Sequence, residues 1–283
     1  MASLKEHQEV LFEMLQEFDR VCKKNQIPYT LFAGTALGAV RHKGFIPWDD
    51  DLDVAMLRCD YERFMQVAPS DLSNQYYLQS EFSEHWPMHF SKLRKNNTTC
   101  LEKYHPKDKK VHQGIYIDIF PIDNASNNPL MRRMQFACSK VVFAKSFYKR
   151  GYETDSIIKK MFLQFCRILP LKPFYKITKM EKANGSEFLH SFFGGTSTFR
   201  KGIYLRKWMT ETVMTEFEGK LFPISAHYHD MLTTIYGNYM ELPKESERKS
   251  KKHALLVDTN KNFTEYESYR DGMKFDVYTR GKR

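Results

Sequence analysis

The sequence predicts an α+β fold with an added basic helical segment. Three observations carry this. Short apolar runs with period-two alternation are interspersed with longer runs of apolar residues at helical spacing, as strands and helices require. Four aspartates, Asp49, Asp50, Asp51 and Asp53, arrive together where a loop enters a predicted strand. Residues 130–180 hold twelve Lys and Arg against only Glu153 and Asp155, an excess equal to the whole formal net charge of +10.

In chain order, residues 3–25 read as a helix. Ser3 and Glu6 have capping-box spacing, and Val10, Leu11, Met14, Leu15, Phe18, Val21 and Cys22 form one apolar stripe. Residues 27–33 predict a strand running to Gly34, and residues 35–41 a short helix whose N-terminal N–H groups suit a phosphate. A loop over 44–50, stiffened by Pro47, leads to a strand over 51–57. A helix follows over 60–67, then strands over 76–80 and 89–94. Residues 114–122 predict a further strand, with Ile115, Ile117 and Ile119 on one face and Tyr116, Asp118 and Phe120 on the other.

The basic segment predicts two helices. One carries Met134, Ala137, Cys138, Val141 and Val142. The other carries Ile157, Ile158, Met161, Phe162, Phe165, Ile168 and Leu169, and ends at Pro170. Two accounts of it stand: core-packing helices with a solvated basic face, or a surface that docks on anionic lipid or a polyanionic acceptor. A turn is expected at Gly194-Gly195, a turn and strand around Gly219, and a helix over 226–236 stopped by Gly237. The expected division is a catalytic core over 1–125, the basic helical segment over 126–200, and a part completing the catalytic domain over 201–283.

Composition narrows the function classes. The five cysteines are scattered and none forms C-x-x-C, so neither a disulfide framework nor a structural zinc site is expected; reduced thiols fit a cytoplasmic protein. Charges interrupt the N-terminal residues before any signal-peptide apolar region, and no window approaches 18 uncharged apolar residues. The expected location is cytoplasmic, with peripheral contact to the inner membrane face through residues 130–180. The basic region lacks zinc-finger spacing and an aromatic-basic strand motif, so no nucleic-acid partner is expected.

The chemistry rests on carboxylates. In a strand Asp51 and Asp53 share a face while Leu52 points to the core. Two carboxylates held so close repel unless a cation neutralises them. Oxygen ligands of this kind suit Mg²⁺ or Mn²⁺, which in turn hold phosphate. Asp118 is a third carboxylate on an otherwise apolar strand, costly there unless paired, hydrogen-bonded or metal-bound.

Strand, Gly34-Thr35, helix, a strand with D-x-D and a strand with a third Asp together resemble the nucleotidyltransferase superfamily. That likeness implies a mixed sheet flanked by helices. The interval from Gly34 to Asp51 is long, and Thr35 stands where Ser or Gly is usual, keeping a hydroxyl. The run from Gly34 to Asp53, GTALGAVRHKGFIPWDDDLD, resembles the LicD family of phosphotransferases, which includes the fukutin-related proteins. Lys92-Leu93-Arg94 with Thr98-Thr99, the strand IDIFP over 117–121, and the late stretches FEGKLFPI and YGNYMELP extend the likeness from about residue 20 to 245.

The resemblance implies transfer of a phospho-alcohol, phosphocholine first, from a CDP-activated donor such as CDP-choline to a sugar hydroxyl of a cell-surface glycan precursor such as teichoic acid, releasing CMP. Asp51, Asp53 and Asp118 are then the catalytic residues and, with Asp49, hold the metal; Asp118 is also the candidate base. Gly34 and Thr35 approach a donor phosphate through backbone and hydroxyl. Arg41, His42, Lys43 and Arg94 supply cationic contacts, and Trp48 stacks on the base or faces choline. The alternative is a nucleotidyltransferase moving NMP from an NTP to a small acceptor, against which the R-H-K-G-F-I-P-W insertion tells.

Overall fold

The computed structural model describes residues 2–83, 86–102, 111–150, 152, 154–179, 185–192, 198–249 and 254–266. Helix α1 (Leu4–Lys24) starts at the predicted capping box: Glu6 N–H donates to Ser3 Oγ and Ser3 N–H donates to Glu6 Oε2. Its stripe from Leu11 to Cys22 is buried. There follow β1 (Thr30–Leu31), α2 (Ala33–His42), β2 (Asp53–Leu57), α3 (Arg58–Asp71), β3 (Tyr76–Gln79), β4 (Ser91–Lys95), β5 (Thr99–Glu102) and β6 (Tyr116–Ala125). The basic segment forms α4 (Pro129–Lys149), α5 (Ile157–Ile168) and α6 (Leu171–Thr178). Then come β7 (Phe188–His190), β8 (Ile203–Leu205), α7 (Lys207–Thr210), β9 (Thr212–Phe217), β10 (Lys220–Ser225), α8 (Tyr228–Tyr236), α9 (Glu245–Lys249) and β11 (Ala254–Asp258).

The main sheet runs β1-β2-β6-β4-β3, with β7 on the far end of β6 and β8 on β7. β2 and β6 are parallel and the remaining pairs antiparallel, so the sheet is mixed and the fold α+β. The register of the parallel pair sets Asp53 beside Asp118, and on the other side of β6 Lys92 lies opposite Asp118 and Arg94 opposite Tyr116. The core joins α1 and α3 to the sheet: Leu11, Leu15, Phe18 and Phe64 pack with Val54, Met56, Leu93, Ile115, Ile117 and Ile119. The three isoleucines share the buried face that the alternation predicts.

The last third of the chain returns to this sheet. β11 pairs with β5, β10 lies beside β1, and α8 lies beside α2. The β9–β10 hairpin turns through Glu218 (φ 49°) and Gly219 (φ 75°), the positive-φ pair that a two-residue turn needs to match strand twist.

Several boundaries differ from expectation. The strand predicted over 27–33 is only Thr30–Leu31, because Phe32 already caps α2 while its N–H donates to Asp53 O. β2 starts at Asp53, not residue 51, although Leu52 O still accepts from Asp118 N–H. β6 runs on to Ala125 because β7 pairs with its last three residues. Core packing holds for α4, which buries Cys138, Val142 and Ala144, but not for α5. There Ile157, Ile158, Met161, Phe162, Phe165 and Ile168 are exposed and Cys166 is the buried residue. The Gly194-Gly195 turn lies outside the described residues.

Candidate active site

The site forms where α2 begins and β2 starts. Asp49, Asp51 and Asp53 line one cleft, while Asp50 and Leu52 between them are buried on the opposite side. Two-residue alternation thus extends back through residues that precede the strand. Asp50 is committed elsewhere: its carboxylate accepts from Ala254 N–H and raises the proton affinity of buried His7. The loop is pinned from below by Gln8, whose amide donates to Asp49 O at 2.9 Å.

The N-terminus of α2 has no side-chain cap. A Cβ at Gly34 would sit 3.1 Å from Asp49 Oδ2, so glycine lets the carboxylate approach this first turn, where the helix dipole favours negative charge. Thr35 is buried, and its hydroxyl oxygen accepts from Asp53 N–H at 2.8 Å. It therefore ties the helix start to the D-x-D strand. The helix end is set by another close approach: a Cβ at Gly38 would fall 2.5 Å from Gly44 O.

Acidic groups crowd around Asp53, while Arg41 and Lys244 lie elsewhere on the cleft wall. Burial, then Asp51, Asp118 and Asp49, hold the Asp53 carboxyl well above the usual carboxylate range, with Lys92 pulling the other way. Burial also raises Asp118, opposed by Lys92, whose Nζ lies 3.2 Å from Asp118 Oδ1. Lys92 is itself buried, 3.1 Å from Glu102 and 3.0 Å above the Tyr116 ring centroid. One lysine is thus shared between Asp118 and Glu102, and three further aspartates share the cleft.

The cleft has a volume of about 720 Å³. Of the predicted residues it gathers Gly34, Arg41, Trp48, Asp49, Asp51 and Asp53 on its wall, with Asp118 behind Asp53 in register. His42, Lys43 and Arg94 are not on that wall. His42 accepts from Arg41 Nε at 2.9 Å and sets its ring edge-on to Trp48, and Lys43 is the exposed left-handed cap of α2 (φ 60°). Arg94 is a buried residue of β4, donating to Gln79, Gly114 O and Glu102.

The rest of the lining comes from the end of α8 and the segment after it: Tyr236, Tyr239 and Lys244. Arg248 stands over Trp48, its guanidinium 4.6 Å from the ring centroid. The Tyr236 hydroxyl is held neutral by burial and by Asp53, Asp51 and Asp49, although the residue is 40% exposed at the cleft mouth. Sequence reasoning did not assign these residues. Their signal was the helix stop at Gly237 beside two tyrosines, which says where a chain turns but not what it turns towards.

Among the described residues no three carboxylate, imidazole or thiolate side chains form a ready metal cage. The donor set nevertheless fits Mg²⁺ or Mn²⁺, which use one or two carboxylates and complete their shell with water and substrate phosphate. Asp51, Asp118 and Asp49 around Asp53 penalise its ionised form, a repulsion that a bound cation would relieve.

A D-x-D strand beside a third aspartate on its parallel neighbour, facing an uncapped helix N-terminus, is the plan of a nucleotidyltransferase domain. Residues 26–155 match the family model described as LicD/FKTN/FKRP, nucleotidyltransferase domain. It is 29% identical over 259 residues to the lipopolysaccharide cholinephosphotransferase LicD of Haemophilus influenzae, a match covering 87% of this chain and 95% of that protein. An uncharacterized protein of Rickettsia typhi is 42% identical over 127 residues, which are 42% of this chain and 36% of that one.

Proposed function

We propose that the cleft transfers phosphocholine from a CDP-activated donor to a sugar hydroxyl of a cell-surface glycan, releasing CMP. The observation that carries this is the set of aspartates 49, 51 and 53 on one cleft wall with Asp118 in register behind them. Similarity to a cholinephosphotransferase over most of both chains supports the choice of phospho-alcohol.

In this reading Asp49, Asp51, Asp53 and Asp118 hold Mg²⁺ or Mn²⁺. The bound ion would neutralise the donor pyrophosphate and the charge that develops on the leaving CMP. Gly34 lets the Asp49 carboxylate approach the α2 N-terminus, which places a metal-holding oxygen beside N–H groups that suit a donor phosphate. Arg41 and Lys244 face the donor from the rim. Trp48, Tyr236 and Tyr239 supply aromatic surface that suits a quaternary ammonium. The acceptor oxygen attacks the phosphorus bearing choline. A new P–O bond forms, the bond to the CMP phosphate oxygen breaks with its electron pair, and the hydroxyl proton passes to a cleft carboxylate.

Calorimetric titration of CDP-choline, CDP-ribitol, CDP-glycerol and ATP, with Mg²⁺ or Mn²⁺ and with chelator, tests the reading. The expected result is metal-dependent binding of CDP-choline. Asp51→Ala should lower CMP release by about a hundredfold or more. Preference for a triphosphate, with pyrophosphate released and nucleotide joined to the acceptor, overturns it.

A further inference from the structure

We infer that α5 is an interfacial anchor that lays its outer face into an anionic lipid surface. Its six exposed apolar side chains, Ile157, Ile158, Met161, Phe162, Phe165 and Ile168, are those a soluble helix normally turns inward. At helical spacing they fall within an arc of about 140°. The side facing the protein holds Cys166, which is fully buried. Lys145 of α4 fixes the C-terminal end of α5 by donating to Arg167 O at 2.7 Å and Leu169 O at 2.6 Å. The helix is therefore held against the body with its apolar side outward. A contiguous apolar patch of this kind marks a surface that something covers.

Charge identifies the occupant. Lys159, Lys160 and Arg167 lie outside the apolar arc on the same helix, and Lys172 and Lys176 follow on α6; all five are exposed. This sits in the segment that carries the whole net charge. Apolar side chains flanked by lysines match an acyl boundary beneath anionic headgroups. A second copy of the chain fits less well, because a two-fold contact brings the two basic sets together. Twelve residues of helix reach about 18 Å, too short for a hydrocarbon core of about 30 Å, so the helix lies along the surface. Among the described residues no helix is long and apolar enough to cross. The docking face uses none of the cleft residues, so it stands or falls independently of the transfer reaction.

Flotation of the full chain with phosphatidylcholine vesicles, with or without phosphatidylglycerol, tests this. The chain should float with phosphatidylglycerol vesicles at low salt, less so as salt rises, and more weakly with phosphatidylcholine alone. The double variant Ile158→Glu, Phe165→Glu should bind about tenfold more weakly with its melting temperature unchanged. Lys159→Glu with Lys160→Glu should weaken binding to the anionic vesicles to a similar degree, and decides the matter if the first variant does not fold. Asp51→Ala should float like the parent. No flotation at low salt overturns the inference, as does undiminished flotation of the folded variants. So does a dimer in sedimentation equilibrium that Ile158→Glu, Phe165→Glu dissociates, since a second copy would then cover the face.

Discussion

Thr35 illustrates how one side chain serves position before chemistry. A phosphate contact is expected of its hydroxyl, whose oxygen also accepts from Asp53 N–H and so couples the start of α2 to the carboxylate strand. Thr35→Val keeps the shape and strands that N–H. It should cost about 1–3 kcal/mol in urea unfolding, and Thr35→Ser should restore most of the loss. Equal stability of Val and Thr would show that water replaces the hydroxyl. Lys92 is the other case. In the sequence Lys92-Leu93-Arg94 enters only as part of the family likeness, and the pairing with β6 sets Lys92 against Asp118 and Glu102. The same pairing sets Arg94 opposite Tyr116, where it is buried and donates to Gln79 and Gly114 O.

At the scale of elements, α2 and the loop behind it act as one piece. Gly38 lies against Gly44 O, Phe45 N–H donates to Glu218 Oε1, and Glu218 N–H donates to Lys43 O. The β9–β10 turn thereby clamps the loop that leads to Trp48 and the aspartates. Gly38→Ala puts a methyl group 2.5 Å from a backbone carbonyl that cannot swing away. It should destabilise the protein by about 1–3 kcal/mol, despite the better helix propensity of alanine, and lower donor affinity as the loop shifts. A variant that unfolds at the parent's urea midpoint would contradict this packing. Helix α5 shows the reverse situation, with Ile157, Ile158, Met161, Phe162, Phe165 and Ile168 exposed.

At the scale of the molecule, buried titratable groups set the response to pH. Burial holds His7 at about 4 and, with Arg58 and Arg94 respectively, holds His89 and His112 at about 3. Each lies below its unfolded value of about 6.5, so the unfolded chain binds more protons between the two values. Stability is then complete above about pH 6.5 and falls as pH drops through the folded values, His7 alone contributing on the order of 3 kcal/mol. Glu102 and Asp123 extend the loss to lower pH: burial would raise them, but Lys92 and Arg58 respectively prevail and hold both below the usual range. Thermal melts between about pH 8 and pH 4 should show a falling midpoint below about pH 6.5; a flat profile to about pH 4.5 would contradict buried neutral imidazoles.

Local periodicity determined much of this protein. The capping box, the α1 stripe, the alternation that sets Asp51 and Asp53 together and the buried face of β6 all follow from side-chain direction along a single element. The GTALGAVRHKGFIPWDDDLD run was specific enough to point to the family. Tertiary structure alone decided the rest, because it depends on what lies across from an element. Parallel pairing of β2 with β6 brought Asp118 to Asp53 over a long interval of chain. The end of α8 and the segment after it closed the cleft with Tyr236 and Tyr239, and Arg248 came over Trp48. The same stripe of apolar residues that buries α1 faces outward on α5, since periodicity states that a helix has an apolar side and only its neighbours state whether that side is covered.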